Sequence, residues 1–546
     1  MKAVSAVIEI LKKEGVEFLV CFPATPLIEE GAVRGVRPIL CRQERVGIAI
    51  ADGYSRVSNG RRIGVFAMQQ GPGAENAFPG VAQAYADSVP ILLLPQGEAR
   101  RRADIPPSFS AVQNYQKVTK WAAQVNFADR LPGMMRRAFY LLRTGRPGPV
   151  VVEIPRDVMV EEVGEALEDY GPVKGNRIAP DRDDVREVAA VLLGAKRLVI
   201  HAGQGVLYAE AWQELRQLAE ALGAPVMTTL PGKSAFPENH PLSLGTGSHT
   251  TTGPVHHFLQ RADVVFGVGC SFTRTLFGVD IPPGKAIVHS TNDPADVNKD
   301  YRIDYAVIGD AKLVLRELLD EVKRRGETGD PGKPQEVAKE VRAVRGEWMR
   351  EWMPRLTSDE VPLNPYRIVW DLMHTVDRDN TIITHDSGSP RDQMVPFYET
   401  TTPRSYIGWG KSTQLGHGLG LAMGAKLADP DKLCINVMGD AAIGMVGMDF
   451  ETAVRNQIPI LTIVWNNGAM AIEAPTLPVA TERFGAKYLG GDYAQLAKAL
   501  GSYSERVEKP EEIVPSIRRA IQVTKDGHPA LVEFITKEEP AFSTFS

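Results

Sequence analysis

The chain has little of several things, and each shortage closes a class of function. Cysteine is scarce: four residues in 546, at Cys21, Cys41, Cys270 and Cys434. No two have C-x-x-C spacing, so neither a zinc site nor a redox dithiol is expected, and a disulfide scaffold is excluded. The four read as small apolar core residues in a reducing, cytoplasmic setting. No charge sign dominates: 62 Lys and Arg face 67 Asp and Glu, a formal net charge of -5. That balance argues against a nucleic-acid binder, which needs a strongly basic surface. It leaves room for a local basic pocket for a phosphorylated small molecule. Long apolar runs are missing too. Stretches such as Ile91–Leu94 are strand-length, far short of the roughly 20 residues that cross a bilayer. The opening MKAVSAVIEILKKEGVEFLV carries Glu9, Lys12, Lys13 and Glu14 in an amphipathic helical pattern and lacks the marks of a secretion signal.

What is present is an ordinary globular composition, 43% hydrophobic and 24% charged. Apolar runs at Gly64–Met68, Ile91–Leu94, Val150–Ile154, Leu198–His201, Val264–Val268, Ala286–His289, Cys434–Val437, Ile460–Trp465 and Ala530–Phe534 alternate with helical stretches. Short buried strands between helices predict an α/β protein with doubly wound parallel sheets. Two stretches break the rhythm. Glu161 to Asp183 is acidic and carries Gly171, Pro172, Gly175 and Pro180. Arg324 to Pro362 begins RRGETGDPGKP and continues as a charged helix through Trp348 and Trp352. Three domains are expected, over residues 1–165, 184–325 and 360–540. The first and third share a plan, a Gly-rich strand-to-helix turn followed by an apolar strand.

The most informative segment is LCINVMGDAAIGMVGMDFETAVRNQIPILTIVWNNGAMAIE, from Leu433. One buried strand delivers Gly439 and Asp440 at its C-terminal end, and a second delivers Asn466 and Asn467. The helix between them makes a βαβ crossover, which sets both turns at the sheet edge where ligands of open α/β sheets bind. A carboxylate, a side-chain amide and a backbone carbonyl are hard oxygen donors. With waters and two phosphate oxygens they make an octahedral Mg²⁺ site. Gly439 lets the backbone approach a phosphate. Taken singly, Asp440 reads as a helix cap and Asn467 as a turn residue; the combination is far rarer.

That combination resembles the cofactor motif of thiamine diphosphate-dependent enzymes. The resemblance implies that Asp440, Asn467 and the carbonyl of Ala469 bind the metal, and that Gly439, Ala441 and Ala442 border the diphosphate. The family usually has Gly where this chain has Ala441. The first block supplies a partner motif, CRQERVGIAIADGYSRVSNG, similar to the E-x-x-A-x-x-A-x-G-Y-A-R run of the acetohydroxyacid synthase and pyruvate decarboxylase superfamily. Glu44 sits at the matching position. Its proton would bond N1′ of the aminopyrimidine and favour the imino tautomer, whose nitrogen takes the C2 proton of the thiazolium. A buried carboxyl suits that task, because desolvation raises its pKa. Alone, Glu44 would read as a helix-surface residue paired with Arg42 or Arg45. The helix is lined with small residues, so a tightly packed neighbour is expected.

Further matches follow. MQQGPGAENAF resembles the S-G-P-G-x-x-N run, placing Gly71, Pro72, Gly73 and Asn76 beside the pyrimidine. GWGKSTQLGHGLGLAMGAK puts Leu415 where a bulky residue bends the cofactor, and the Thr413 carbonyl where the 4′-amino group is received. HDSGSP places Gly388 and Ser389 at the diphosphate. Members of the family join these two domains across a subunit interface. A homodimer, or a tetramer built from dimers, is therefore implied, with Glu44 of one subunit serving a cofactor held by another.

The middle block resembles the superfamily's central domain, which in acetohydroxyacid synthases binds FAD and carries an R-F-D-D-R-like run. Here that stretch reads Ser271-Phe272-Thr273-Arg274-Thr275. The acidic pair and the first arginine are missing, which argues against FAD. Other relatives use this domain for ADP or coenzyme A, or leave it empty. On the substrate side, no histidine precedes His201, so the histidine pair of pyruvate decarboxylases is absent, and Gln43 stands where many relatives have His. Gln113 lies near an active-site Gln of several carboligases, across a gap in the match. Glu473 matches a proton-transferring acid of pyruvate decarboxylases, and reads equally as a surface residue. Arg100, Arg101 and Arg102 could meet an anionic substrate, or line a solvated loop.

The leading expectation is a Mg²⁺- and thiamine diphosphate-dependent enzyme that makes or breaks a carbon–carbon bond beside a carbonyl. It would act on a 2-oxo acid, aldehyde or acyl-CoA and resemble the acetolactate synthase large subunit. The alternatives are a 2-hydroxyacyl-CoA or oxalyl-CoA lyase and a simple decarboxylase. A non-catalytic cofactor-binding protein and a nicotinamide oxidoreductase are the other classes. Glu44 with Asp440 and Asn467 argues against the first, and the missing G-x-G-x-x-G against the second.

Overall fold

The computed structural model describes residues 1–326 and 332–545. Among the described residues, eighteen strands form three six-stranded sheets, every pairing within them parallel. The first sheet holds β1 (Phe18–Phe22), β2 (Arg37–Leu40), β3 (Gly64–Met68), β4 (Ile91–Gly97), β5 (Trp121–Gln124) and β6 (Val150–Pro155). The central sheet holds β7 (Leu198–Ala202), β8 (Val226–Thr229), β9 (Ser243–Gly247), β10 (Val264–Val268), β11 (Ala286–Thr291) and β12 (Tyr305–Ile308). The third holds β13 (Thr381–His385), β14 (Tyr406–Ile407), β15 (Leu433–Gly439), β16 (Ile460–Asn466), β17 (Tyr503–Val507) and β18 (Ala530–Ile535). Inner strands such as β3, β7 and β10 are buried along their whole length, the mark of sheets covered by helices on both faces.

The first sheet runs β2-β1-β3-β4-β6-β5 and the third β14-β13-β15-β16-β18-β17, one order repeated. The shared plan of the two outer blocks is thus a shared topology. The central sheet runs β12-β11-β10-β7-β8-β9, the doubly wound dinucleotide-fold order. Each order has a central reversal, between β1 and β3, β7 and β10, and β13 and β15. Ligands of such sheets bind beyond the carboxyl ends of the strands at the reversal.

Six helices matter for the site. They are α1 (Glu44–Val57), α2 (Pro72–Ala86), α3 (Lys333–Leu356), α4 (Ser389–Met394), α5 (His417–Ala428) and α6 (Asp440–Val446). The close neighbour anticipated for the small-residue helix α1 is α5. A Cβ on Gly53 would meet the Leu421 carbonyl oxygen at 2.3 Å, and one on Gly424 the Ile50 oxygen at 2.1 Å. Backbones touch here, so the first and third domains share one apolar core through Ile50, Tyr54, Leu419, Leu421 and Met423.

Of the linker stretches, 161–181 holds one short 3-10 turn, Gly164–Leu167, with Tyr170 buried and bonded to Glu14 at 2.7 Å. In RRGETGDPGKP, residues 327–331 lie outside the described residues. Beyond them α3 buries Trp348 and Trp352 against Phe397 of the third domain, Trp348 stacking at 4.9 Å.

Candidate active site

The reversal between β13 and β15 sets two turns side by side. β13 hands over to Asp386–Ser389, and β15 to Asp440. Gly388 adopts φ +86°, a conformation that favours glycine, and opens α4. Asp440 is 4% exposed. Its Oδ1 accepts the Ala441 amide at 2.7 Å and its Oδ2 the Gly468 amide at 2.8 Å. Burial pushes its pKa up, and the amides around it pull the other way. The two asparagines divide their work. Asn466 donates to Glu533 at 2.7 Å, a structural tie. Asn467, half-buried, turns its amide oxygen to the Ala469 N–H at 3.0 Å. Among the described residues no group of three or more His, Cys, Asp or Glu could hold a metal. The donor set here is one carboxylate, one amide oxygen and the Ala469 carbonyl. Such a set fits a hard divalent ion that takes its remaining ligands from phosphate and water, and a cation would offset the burial cost of Asp440.

The loop 408–416 carries Thr413 and Leu415, and the first domain straps it down. Arg56 donates to the Gly408 carbonyl at 3.2 Å, Asp87 accepts the Lys411 amide at 3.2 Å, and Gln83 accepts the Gln414 amide at 3.3 Å. Arg45 donates to the Leu415 carbonyl. Behind the strap lies a fully buried ionic group. Arg56 grips both oxygens of Asp52 and reaches Asp87 at 3.2 Å, and His417 meets Asp52 at 3.4 Å. Burial pushes Asp52 up, but the Arg56 charge and the His417 bond outweigh it and hold the carboxyl at about 2. Paired and hydrogen-bonded charges of this kind survive desolvation, whereas removing one partner strands the others.

Glu44 opens α1 and is 3% exposed. A Cβ on Gly73 would lie 3.5 Å from its Oε1, so the glycine turn Gly71–Gly73 packs on the carboxyl. Burial raises its pKa; its own backbone amide and a bond from Asn76 temper the shift. The alternative pairing of Glu44 with Arg42 or Arg45 is not made: Arg42 pairs with Glu451, and Arg45 turns to Leu415. Tyr115, buried beside Glu44, donates to the Ala74 carbonyl and braces the same turn.

The other candidates stand apart. Gln113 is exposed and donates to Asp104 at 2.9 Å. Glu473 is exposed, beside the short turn Ala474–Thr476. Arg100 is engaged by Asp157 and Glu161. Sequence reasoning did not single out Arg45, Asp386 or the Asp52–Arg56–Asp87 group. The tripeptide Tyr54-Ser55-Arg56 lies inside the quoted motif, so a signal for Arg56 was present.

A cavity of about 510 Å³ opens at the reversal between β7 and β10, lined by all three domains. Among the described residues, His201 and Ser290 bring buried polar atoms to it that have no hydrogen-bond partner. Burial holds His201 at about 4, so its ring is neutral. Ser271–Thr273 and Thr275 line one wall, and Lys411 reaches across to Ser271 at 3.0 Å.

Comparison with known proteins matches three successive segments of the chain. Residues 1–124 match the N-terminal TPP binding domain of thiamine pyrophosphate enzymes, 185–318 their central domain, and 386–534 their C-terminal TPP binding domain. A probable acetolactate synthase large subunit of Methanococcus aeolicus is 30% identical, covering 100% of this chain and 93% of that protein. One from Methanocaldococcus jannaschii is 32% identical over 95% and 90%. A glyoxylate carboligase of Escherichia coli O157:H7 is 29% identical over 95% and 90%. With three domain models in series and full-length relatives at this identity, the chain belongs to the thiamine pyrophosphate enzyme family.

Proposed function

We propose that this chain is a thiamine diphosphate- and Mg²⁺-dependent carboligase of the acetolactate synthase kind, acting on 2-oxo acids or related carbonyl compounds. One observation carries the reading. A buried carboxyl on a glycine turn in the first domain accompanies, in the third, a carboxylate, an amide and a carbonyl at a sheet reversal.

The bound cofactor would supply the electron sink for breaking and forming bonds at a carbonyl carbon. Asp440, Asn467 and the Ala469 carbonyl would hold the ion. Gly388, Ser389, Gly439, Ala441 and Ala442 would hold the diphosphate. Glu44 would keep a proton at the pyrimidine N1′, and the Thr413 carbonyl would receive the 4′-amino group. Leu415 would support the bend between the rings, and Gly71, Pro72, Gly73 and Asn76 would close the pyrimidine side. Gln113 and Glu473, both exposed, would act from the substrate side.

A homodimer or dimer of dimers is part of the reading. It is supported by exposed apolar side chains on the segments that follow Asp440 and Ala469: Met445, Met448, Ile472, Leu477, Phe484 and Tyr488. The cavity favours a second reading, an acyl-CoA lyase, because it offers unpartnered polar groups to an ADP or coenzyme A moiety. The run Ser271–Thr275 still argues against FAD. The test is a screen of 2-oxo acids, aldehydes and acyl-CoAs with added cofactor and Mg²⁺, products identified by mass spectrometry. Carboligation of 2-oxo acids abolished by a chelator is expected. Turnover of acyl-CoAs alone would replace the first reading with the second.

A further inference from the structure

The peptide group between Leu415 and Gly416 is gripped at both ends. Its carbonyl accepts from Nη2 of Arg45, a residue of the first domain. Its N–H donates to Asp386 Oδ1 at 2.8 Å. The same carboxylate accepts the Gly418 amide at 2.9 Å and the Ser387 amide at 2.8 Å. Asp386 is fully buried and therefore ties the 387–389 turn to the 413–416 loop. Gly416 has φ +87°, and a Cβ there would lie 2.6 Å from Val446, so no side chain could take its place without a shift. Leu415 is only half-buried. Core packing alone does not lock it; the grip on its backbone does.

Arg45 is an unusual choice for that grip. Its bond is to a neutral carbonyl, and among the described residues no carboxylate lies within ion-pair distance of it. Burial lowers its pKa, with Asp386 opposing from a distance. Putting a guanidinium in a half-buried place to satisfy one carbonyl carries a desolvation cost that mere structural support does not require. A long, charged donor does achieve one thing: it pulls the carbonyl toward the first domain while Asp386 holds the amide to the third.

We propose that Arg45 is a positioning residue for the thiamine cofactor. By fixing the Leu415–Gly416 peptide between Arg45 and Asp386, the protein sets where the Leu415 side chain and the Thr413 carbonyl meet the pyrimidine. In the loaded protein this would set how the cofactor is held for its own C2 deprotonation. The inference rests on the cofactor reading of the site; no role for Arg45 is part of that reading. Proton transfer is steep in distance, and a displacement of about 1 Å costs on the order of a hundredfold in rate.

The experiment uses the full-length protein with thiamine diphosphate and Mg²⁺. Binding is read by tryptophan fluorescence, and C2 deprotonation by proton–deuterium exchange of the bound cofactor under NMR. Arg45→Met keeps length and removes the donor. It should bind cofactor within about fivefold of wild type, yet exchange C2 slower by about a hundredfold. Arg45→Lys, which restores a donor, should recover much of the rate. Asp386→Asn, at the other end of the peptide, should slow exchange as well and serves if Arg45→Met does not fold. A merely structural role would lower the unfolding midpoint and leave exchange at the wild-type rate in the folded, loaded protein. Wild-type exchange in folded, loaded Arg45→Met, or in Asp386→Asn where Arg45→Met does not fold, would overturn the proposal alone. A wild-type chain that binds no thiamine diphosphate would overturn the cofactor reading and this inference together.

Discussion

A single buried carboxyl concentrates the opposing demands on this molecule. Burial raises the pKa of Glu44, while its own backbone amide and Asn76 pull the other way. A group whose folded pKa is raised contributes stability below its unfolded pKa, and that contribution is lost as pH rises through the folded one. Glu44→Gln removes the penalty and the proton donor together. The variant should unfold later than wild type at neutral pH, by chemical denaturation, and lose about 10²- to 10⁴-fold in kcat. Cofactor binding should persist. Two histidines work in the opposite sense. Burial depresses His201 to about 4 and His385 to about 3. Both therefore support the fold fully above their ordinary value of 6.5. That support fades as pH falls, at up to about 1.4 kcal/mol per pH unit for each. His385 accepts the Trp409 amide and turns its other nitrogen to the Asp386 carbonyl, so it anchors the strand leading to the cofactor loop. The thermal midpoint should fall between pH 6.5 and 4, and His385→Gln should flatten that slope.

Among the elements, the crossing of α1 over α5 is the one that brings the two cofactor domains together. Gly424→Ala would push a methyl to 2.1 Å from the Ile50 oxygen, which is backbone and cannot rotate away. Overpacking of this kind costs about 1–3 kcal/mol and forces the helices apart. The variant should unfold at lower denaturant and bind cofactor more weakly, because the strap from Arg56, Gln83 and Asp87 moves with α1 and α2. Gly133→Ala, in the helix Leu131–Arg143 with nothing within 4 Å, is the control: it should leave cofactor binding unchanged and unfold at the same or higher denaturant, by up to about 1 kcal/mol. The same geometry explains what could be read in advance. The nine apolar runs visible in the sequence are three adjacent strands in each sheet: β3-β4-β6, β11-β10-β7 and β15-β16-β18. Those strands are covered on both faces and so are apolar throughout. The strands toward the edges leave a weaker trace. β5 is half-buried at every residue, β17 reads Tyr-Ser-Glu-Arg-Val, and β14 has two residues. The candidate site divided in the same way. Motif residues on strand ends announced themselves. Arg45 and Asp386 act through backbone groups of a distant loop, and no spacing in the chain reports such a contact.

At the scale of the whole molecule, the question is which first domain serves which third domain. Within one chain, α1 already lies against α5, with Gln43 bonded to the Met445 carbonyl and the Arg42 amide to Asp449. Both an in-chain and a cross-chain pairing of Glu44 with Asp440 are therefore open to geometry. The two differ in a way that mixing exposes. Glu44→Gln and Asp440→Asn each disable every site of a homodimer. In a mixed dimer with cross-chain sites, one site carries both lesions and the other carries neither. Co-refolding or co-expressing the two dead variants should then restore activity, to roughly a quarter of wild type for random pairing into C2 dimers. With in-chain sites, each site in every pairing keeps one lesion, and the mixture stays inactive. The exposed apolar side chains Met445, Ile472, Leu477 and Phe484 point to the cross-chain outcome. They lie on the segments that follow Asp440 and Ala469 in the chain, and exposed apolar side chains of this kind are what a partner subunit covers.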